Sequence, residues 1–151
     1  MTNEPGSTPE NPLDTDVAWV AAQINGFDNH AAGQEWPTQG GAPLLLITTK
    51  GAKTGIWRRT ALIYGESGGK YLIVASKGGA PSDPGWYANL VANPEVYLQV
   101  EDRKFKARAK TASDLEKPGY WSLMTKIWPQ YDDYKSKTDR KIPLVVLEPI
   151  A

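Results

Sequence analysis

Between Pro43 and Ser76, short apolar runs alternate with glycine turns, and this punctuation limits the fold more than any other feature of the chain. Pro43 to Thr49 reads as a buried strand and Gly51 to Gly55 as a turn. Trp57 to Tyr64 is a second strand, and Glu66-Ser67-Gly68-Gly69 is a hairpin turn. Lys70 to Ser76 is a third strand, built on Tyr71-Leu72-Ile73-Val74-Ala75. Val96 to Val100 and Lys104 to Ala109 pair around Glu101-Asp102-Arg103, and Pro143 to Leu147 is a last strand. Mostly antiparallel strands with a few helices predict an α+β, mainly β chain: a small β-barrel with helical decoration. No internal repeat or heptad pattern interrupts this reading.

The helices are legible from their ends. Asp14 or Thr15 can cap a helix running to about Asn25, with Val17, Val20, Ala21 and Ile24 on one stripe. Asp83 caps a short helix to Val91, with Pro84 at its first position. Thr111 or Ser113 starts another, which Pro118-Gly119 either joins near its first turn or interrupts; Tyr120 to Ile127 is its amphipathic remainder. Residues 26–42 are Gly-rich and polar, a loop or lid. Residues 1–12 are rich in Pro, Asn, Ser and Glu and read as a disordered leader, which leaves 13–151 as one domain.

Composition removes whole classes of chemistry. With no cysteine there is no disulfide, thiolate metal site or cysteine nucleophile, and the chain suits a reducing cytoplasm. Seventeen basic residues balance seventeen acidic ones, which argues against a dedicated nucleic-acid binder. Charge is local instead: Lys50, Lys53, Arg58, Arg59, Lys70 and Lys77 face only Glu66 over that stretch. The apolar runs are too short to cross a bilayer, and no secretion signal is read. The one histidine, His30, reads as an exposed loop residue. No Gly-x-Ser-x-Gly elbow and no metal-ligand spacing is present, so an enzyme of this sequence needs a bound cofactor to supply the chemistry.

Gly51-Ala52-Lys53-Thr54-Gly55 lacks the Gly-Lys-Thr run of a phosphate loop, and alone it is an ordinary turn with solvated lysines. Together with Arg58, Arg59, Lys77 and the helix start at Asp83-Pro84 it becomes an anion-binding cleft. Lys53 supplies charge, Thr54 a hydroxyl and Gly55 close backbone approach. On the following helix Trp86 and Leu90 serve as anchors, while the Asn89 amide suits the edge of a heterocycle. Trp128, Tyr131 and Tyr134 recur every three residues. Core packing and a ring-lined pocket wall are even alternatives, because Pro129, Gln130, Asp132 and Asp133 make the segment polar.

Several ordered motifs match one family. Leu44 through Gly55, Ala75-Ser76-Lys77-Gly78-Gly79, Trp86-Tyr87-Ala88-Asn89-Leu90 with Asn93-Pro94, and Tyr131-Asp132-Asp133-Tyr134 ahead of Thr138 to Pro143 resemble the deazaflavin-dependent nitroreductases, over roughly residues 43–149. The resemblance implies a split β-barrel of the FMN-binding-protein type that uses coenzyme F420. It implies that Lys53, Thr54 and the Ala52 backbone hold the phosphate and acidic tail, and that Arg58, Arg59, Thr60, Ala61, Leu62 and Ile63 run along the cofactor. Val74, Ala75, Ser76 and Lys77 would lie against the deazaflavin or its linker, Gly85, Trp86, Tyr87, Ala88 and Asn89 would close the site, and Trp128, Tyr131 and Tyr134 would line the substrate side. Two positions depart from the pattern: Ala52 stands where the family often has a basic residue, and Trp128 where it often has tyrosine.

The activity so implied is hydride transfer from reduced F420 to a quinone, with nitro compounds or enones as promiscuous acceptors. Ser76 is the candidate to hydrogen-bond the acceptor oxygen, and Tyr131 or Tyr134 to donate the second proton. The competing readings are an FMN-dependent oxidoreductase and a non-enzymatic flavin or lipid carrier; nucleic acid is the weakest partner. Because quinones live in membranes, a helix over 15–25 carrying Trp19 is a candidate for peripheral contact with the inner face of the cell membrane, although its short Ala-rich stripe favours core packing. Barrels of this fold often dimerise, but nothing in the sequence sets the oligomeric state.

Overall fold

A computed structural model describes residues 4–150. In chain order the elements are β1 (Leu13–Asp14), α1 (Ala18–Asp28), β2 (Thr38–Gln39), β3 (Ala42–Lys50), β4 (Trp57–Ile63), β5 (Gly65–Ser67) and β6 (Lys70–Val74). A 3₁₀ turn (Lys77–Gly79) precedes α2 (Gly85–Ala92), β7 (Glu95–Val100), β8 (Arg103–Thr111), α3 (Lys117–Ile127), α4 (Gln130–Ser136) and β9 (Leu144–Pro149). The strands join in the order β1-β4-β3-β7-β8-β9-β6-β5, with β2 added beside β3. Among the described residues only the short β1–β4 pair is parallel.

Both faces of this sheet are covered, which explains the unbroken apolar runs. Leu44 and Leu46 of β3 enter one core with Val20, Ile24, Met124 and Tyr131. Their neighbours Leu45 and Ile47 enter a second with Leu90, Val96 and Leu98. The same alternation divides Leu72 and Val74 from Tyr71 and Ile73, and Leu144 and Val146 from Val145 and Leu147.

The split in the barrel has a local cause. β4 runs almost directly into β5, interrupted only by Tyr64. Beyond that residue β5 pairs with β6, Gly65 opposite Leu72. Before it, β4 pairs with β3 on one side, and on the other only Arg58 and Arg59 have strand partners, in β1. β4 and the end of β6 therefore diverge from a common vertex, leaving the outer edge of Thr60–Ile63 without a strand among the described residues. Gly65 keeps the vertex closed: a Cβ there would lie 2.7 Å from Leu123 and 2.8 Å from the Met124 sulfur.

Four expectations need correction. Residues 4–12 are not a disordered leader: Gly6 N–H donates to the Asn11 carbonyl at 2.7 Å, and the Gly6 carbonyl accepts from Trp57 N–H at 2.9 Å, so the segment docks on the start of β4. Residues 1–3 of that leader lie outside the described residues. α1 begins at Ala18 with Val17 as its N-cap, because Leu13 and Asp14 are first committed to pairing with Arg58 and Arg59. Asp83 does not cap α2; Pro84 holds the N-cap position and the Asp83 carboxylate accepts from Arg140. The stretch 26–42 is only partly loop, since 26–28 finish α1 and Thr38–Gln39 pair with β3.

The helix start expected at Ser113 is found, whereas His30 is more engaged than expected. Ser113 and Glu116 exchange hydrogen bonds in a capping box, one turn ahead of α3 proper. His30 is not a bare loop residue: it stacks on Trp36 at 3.5 Å between ring centroids, and its Nε2 lies 2.8 Å from the Gln34 carbonyl. Among the described residues no helix is long and apolar enough to cross a membrane. The lipid contact considered for residues 15–25 gains no support.

Candidate active-site cleft

The opening between β4 and β6 is a two-lobed cleft. Its polar lobe, about 490 Å³, lies between the β3–β4 turn and α2. Its second lobe, about 440 Å³, lies between β4, the 75–79 segment, α1 and the α3–α4 junction. Both lobes share Thr15, Thr60 and Trp86, so they form one continuous groove. Sizes of a few hundred Å³ suit a cofactor-sized ligand. A separate hollow of about 350 Å³ lies beside the N-terminal turn, against Pro9, Tyr97 and Phe105, and carries only Arg59 of the expected site.

The polar lobe gathers Ala52, Lys53, Thr54, Arg58, Arg59, Thr60, Gly85, Trp86, Ala88 and Asn89. The turn is held in shape by Gly55, at φ +71°, whose N–H donates to the Gly51 carbonyl at 3.0 Å. Thr54 Oγ1 accepts from Ile56 N–H at 3.2 Å, which leaves its own O–H to donate outward. Asn89 ties α2 to this turn: its Oδ1 accepts from Ala52 N–H at 3.0 Å and its Nδ2 donates to Thr49 Oγ1 at 3.2 Å. The amide expected to read a heterocycle is therefore engaged with the protein, and so is the Ala52 N–H expected to bind a tail.

The two neighbouring arginines differ sharply. Arg59 grips Asp14 through Nε at 2.7 Å and Nη2 at 3.0 Å, and Asp28 through Nη1 at 3.0 Å and Nη2 at 2.8 Å. The Asp14 bond above all raises its already high pKa further. Its charge is cancelled by the clasp that ties β1 and α1 to β4. Arg58 and Lys53 are exposed, and among the described residues no carboxylate pairs with either, or with Lys77. Lys53 and Arg58 point the polar lobe at an anion, and Lys77 borders the second lobe.

The second lobe gathers Thr60, Ala61, Leu62, Ile63, Val74, Ser76, Lys77, Trp86, Trp128, Tyr131 and Tyr134. Consecutive residues of β4 border it because the lobe meets the open strand edge, where outward backbone N–H and C=O groups have no strand partner. The aromatic trio serves both anticipated roles. Tyr131 is only 5% exposed and packs in the core, with Trp128 and Tyr134 against the same cluster, yet all three border the lobe. Burial, and then the neighbouring Tyr134, push the Tyr131 phenol well above its ordinary pKa, so it stays protonated. Tyr134 meets Tyr131 edge-on at 6.2 Å, and its oxygen lies 3.4 Å from Trp128 Nε1.

Two expected residues lie outside both lobes. Ala75 is fully buried, and Tyr87 turns away to share a 2.8 Å hydrogen bond with Thr111 Oγ1. Ten lining residues lie outside the expected set, among them Thr15, Asp16, Val17, Trp19 and Gln39. Val17 and Trp19 are 45% and 59% exposed, and they form the apolar rim. The sequence placed Val17 on the buried stripe of this helix, whereas Trp19, off that stripe, carried the one signal of an exposed apolar residue.

The same chain matches, over residues 19–149, the family model described as F420H(2)-dependent quinone reductase. It is 46% identical over 112 residues to an F420H(2)-dependent quinone reductase of Mycobacterium tuberculosis, covering 72% of this chain and 74% of that protein. Among solved structures it resembles an F420-H2 dependent reductase with a TM-score of 0.66 at 42% identity, over 70% of this chain and 94% of the other. A chain solved as a domain-swapped dimer gives a TM-score of 0.68 at 36% identity, over 89% and 100%. The heme storage protein HutZ of Vibrio cholerae shares the fold alone, with a TM-score of 0.54 at 14% identity over 87% of this chain and 91% of that one. Extended match and cleft together lead to one conclusion: the chain belongs to the F420H(2)-dependent quinone reductase family.

Proposed function

We propose that this protein is an oxidoreductase that binds reduced coenzyme F420 in the cleft and reduces a quinone-type acceptor there. The observation that carries the reading is the continuity of a cationic lobe with an aromatic one, opened along a bare strand edge. A deazaflavin with a phosphorylated, acidic tail has that same polarity. When bound, the reduced deazaflavin supplies the hydride.

The fit can be judged from the residues present. Lys53 and Arg58 meet the anionic tail, and the Thr54 O–H donates to it. The β4 edge offers donors and acceptors to a flat ring, and Trp86 stands where the two lobes join. Ser76 is 7% exposed and borders the second lobe, where its hydroxyl can hold the acceptor oxygen. Tyr134 is the proton donor of choice, because its oxygen accepts at most a weak bond from Trp128 and its own O–H is available to the lobe. Tyr131, buried and kept neutral, supports it from the core side.

Fluorescence titration with F420 beside FMN tests the cofactor, followed by turnover of reduced F420 with a panel of quinones, nitroarenes and enones. F420 binding that weakens with salt, and quinone reduction, are expected. Preference for FMN, or binding without turnover on any acceptor, overturns the reading. Lys53→Ala is expected to weaken F420 binding roughly tenfold, the loss of one charge-assisted contact; unchanged affinity removes Lys53 from the site.

A further inference from the structure

Outside the lining of both lobes, a single guanidinium organises the wall of the cleft. Arg140 is only 14% exposed in its side chain. Its Nε donates to the Ala80 carbonyl at 2.8 Å, its Nη2 to the Ser76 carbonyl at 2.7 Å, and its Nη1 to the Ala75 carbonyl at 3.2 Å and to Asp83 Oδ1 at 2.7 Å. Three backbone carbonyls and one carboxylate thus converge on one planar fork, a geometry that suits arginine and that lysine cannot copy.

The segment so gripped has two internal backbone bonds, Gly79 N–H to the Ser76 carbonyl at 3.0 Å and Ala80 N–H to the Lys77 carbonyl at 3.1 Å, and an unusual backbone. Lys77, Gly78 and Gly79 sit consecutively in the left-handed region, at φ +47°, +64° and +83°, and Lys77 is one of two non-glycine residues with positive φ among those described. The grip spans from the end of β6 to the residue before the α2 N-cap. It therefore sets the Ser76–Lys77 wall of one lobe and the start of the helix that carries Gly85, Trp86 and Asn89 into the other. Arg140 touches neither lobe.

We propose that Arg140 is a positioning residue: through the 75–83 backbone it holds the two lobes in the register that the cofactor requires. The proposal rests on the reading of the cleft as an F420 site, and its test separates the two. Native protein, Arg140→Lys and Arg140→Ala are compared by F420 titration, by steady-state kinetics, and by amide hydrogen exchange without cofactor.

Expected for Arg140→Lys are an F420 affinity reduced tenfold or more, a larger fall in kcat/KM than in kcat, and faster exchange at 75–83 with unchanged protection in β3. Methylguanidinium added to Arg140→Ala should restore affinity, an effect that repair of general stability would not produce. If Arg140→Ala does not fold, Arg140→Lys alone carries the test. F420 affinity within twofold of native, or exchange at 75–83 that matches native, overturns the proposal. If native protein itself fails to bind F420, the functional reading falls, and the exchange data still decide whether Arg140 orders the segment.

Discussion

Arg58 and Arg59 are adjacent in sequence, yet the pleat sends them to different tasks. Arg59 closes a double carboxylate clasp with Asp14 and Asp28, whereas Arg58 stays exposed at the polar lobe. Arg59→Gln should lower stability by about 1–2 kcal/mol, between the limits for exposed and buried ion pairs, while changing F420 affinity little. Arg58→Gln should do the reverse, weakening F420 several-fold at unchanged stability. Urea titration and cofactor fluorescence on both variants check the pair; equal effects on affinity would deny the distinction. At the other lobe, Tyr134→Phe should lower kcat on quinone by about a hundredfold, the ordinary size of a lost general acid, with F420 affinity kept. A loss below threefold would pass that role to water. Sequence marked Arg58, Arg59 and Tyr134 but ranked the two arginines alike. The carboxylates that cancel Arg59 arrive from 45 and 31 residues away.

At the scale of elements, the wall of the cleft depends on α4 lying close against the 3₁₀ turn. Gly79 has φ +83°, and a Cβ there would stand 2.9 Å from the Tyr134 carbonyl oxygen and 3.1 Å from Lys137 Cβ. Gly79→Ala should therefore destabilise the fold by about 2–3 kcal/mol and displace α4, which carries Tyr131 and Tyr134. Urea midpoints and quinone turnover measure the two effects, and a variant as stable and active as native would show that the turn and helix are not coupled. Strands β3 and β6 were legible because both-face burial makes their apolar runs continuous, and β4 because glycine turns bound it on either side. Helix starts were less legible, for one physical reason: Asp14 and Asp83 are good capping residues, but each found a stronger partner in an arginine. A charge-assisted bond to a guanidinium outcompetes a cap on a neutral N–H.

For the molecule as a whole, one buried and one half-buried phenol shape the response to pH. Tyr131 is raised by burial and then by Tyr134, and Tyr64 by burial and then by Glu66. Both hold their protons in the folded state above the pH at which the unfolded chain releases them. Their contribution is fully present below about pH 10, the ordinary tyrosine value, and is lost as pH rises toward the folded values. Unfolding midpoints from pH 8 to 11 should fall at the alkaline end, and less steeply for Tyr131→Phe; identical slopes would count against the buried phenol. The sequence by itself determined the antiparallel strands, the lack of catalytic side chains that makes a cofactor necessary, and the local run of cations from Lys50 to Lys77. Those follow from local composition and periodicity. The tertiary structure alone decided that β4 and β6 diverge at Tyr64, that Arg59 and Asn89 are occupied by the protein, and that Val17 and Trp19 form the rim. Each depends on which distant partner reaches a group first, and spacing along a chain does not encode that competition.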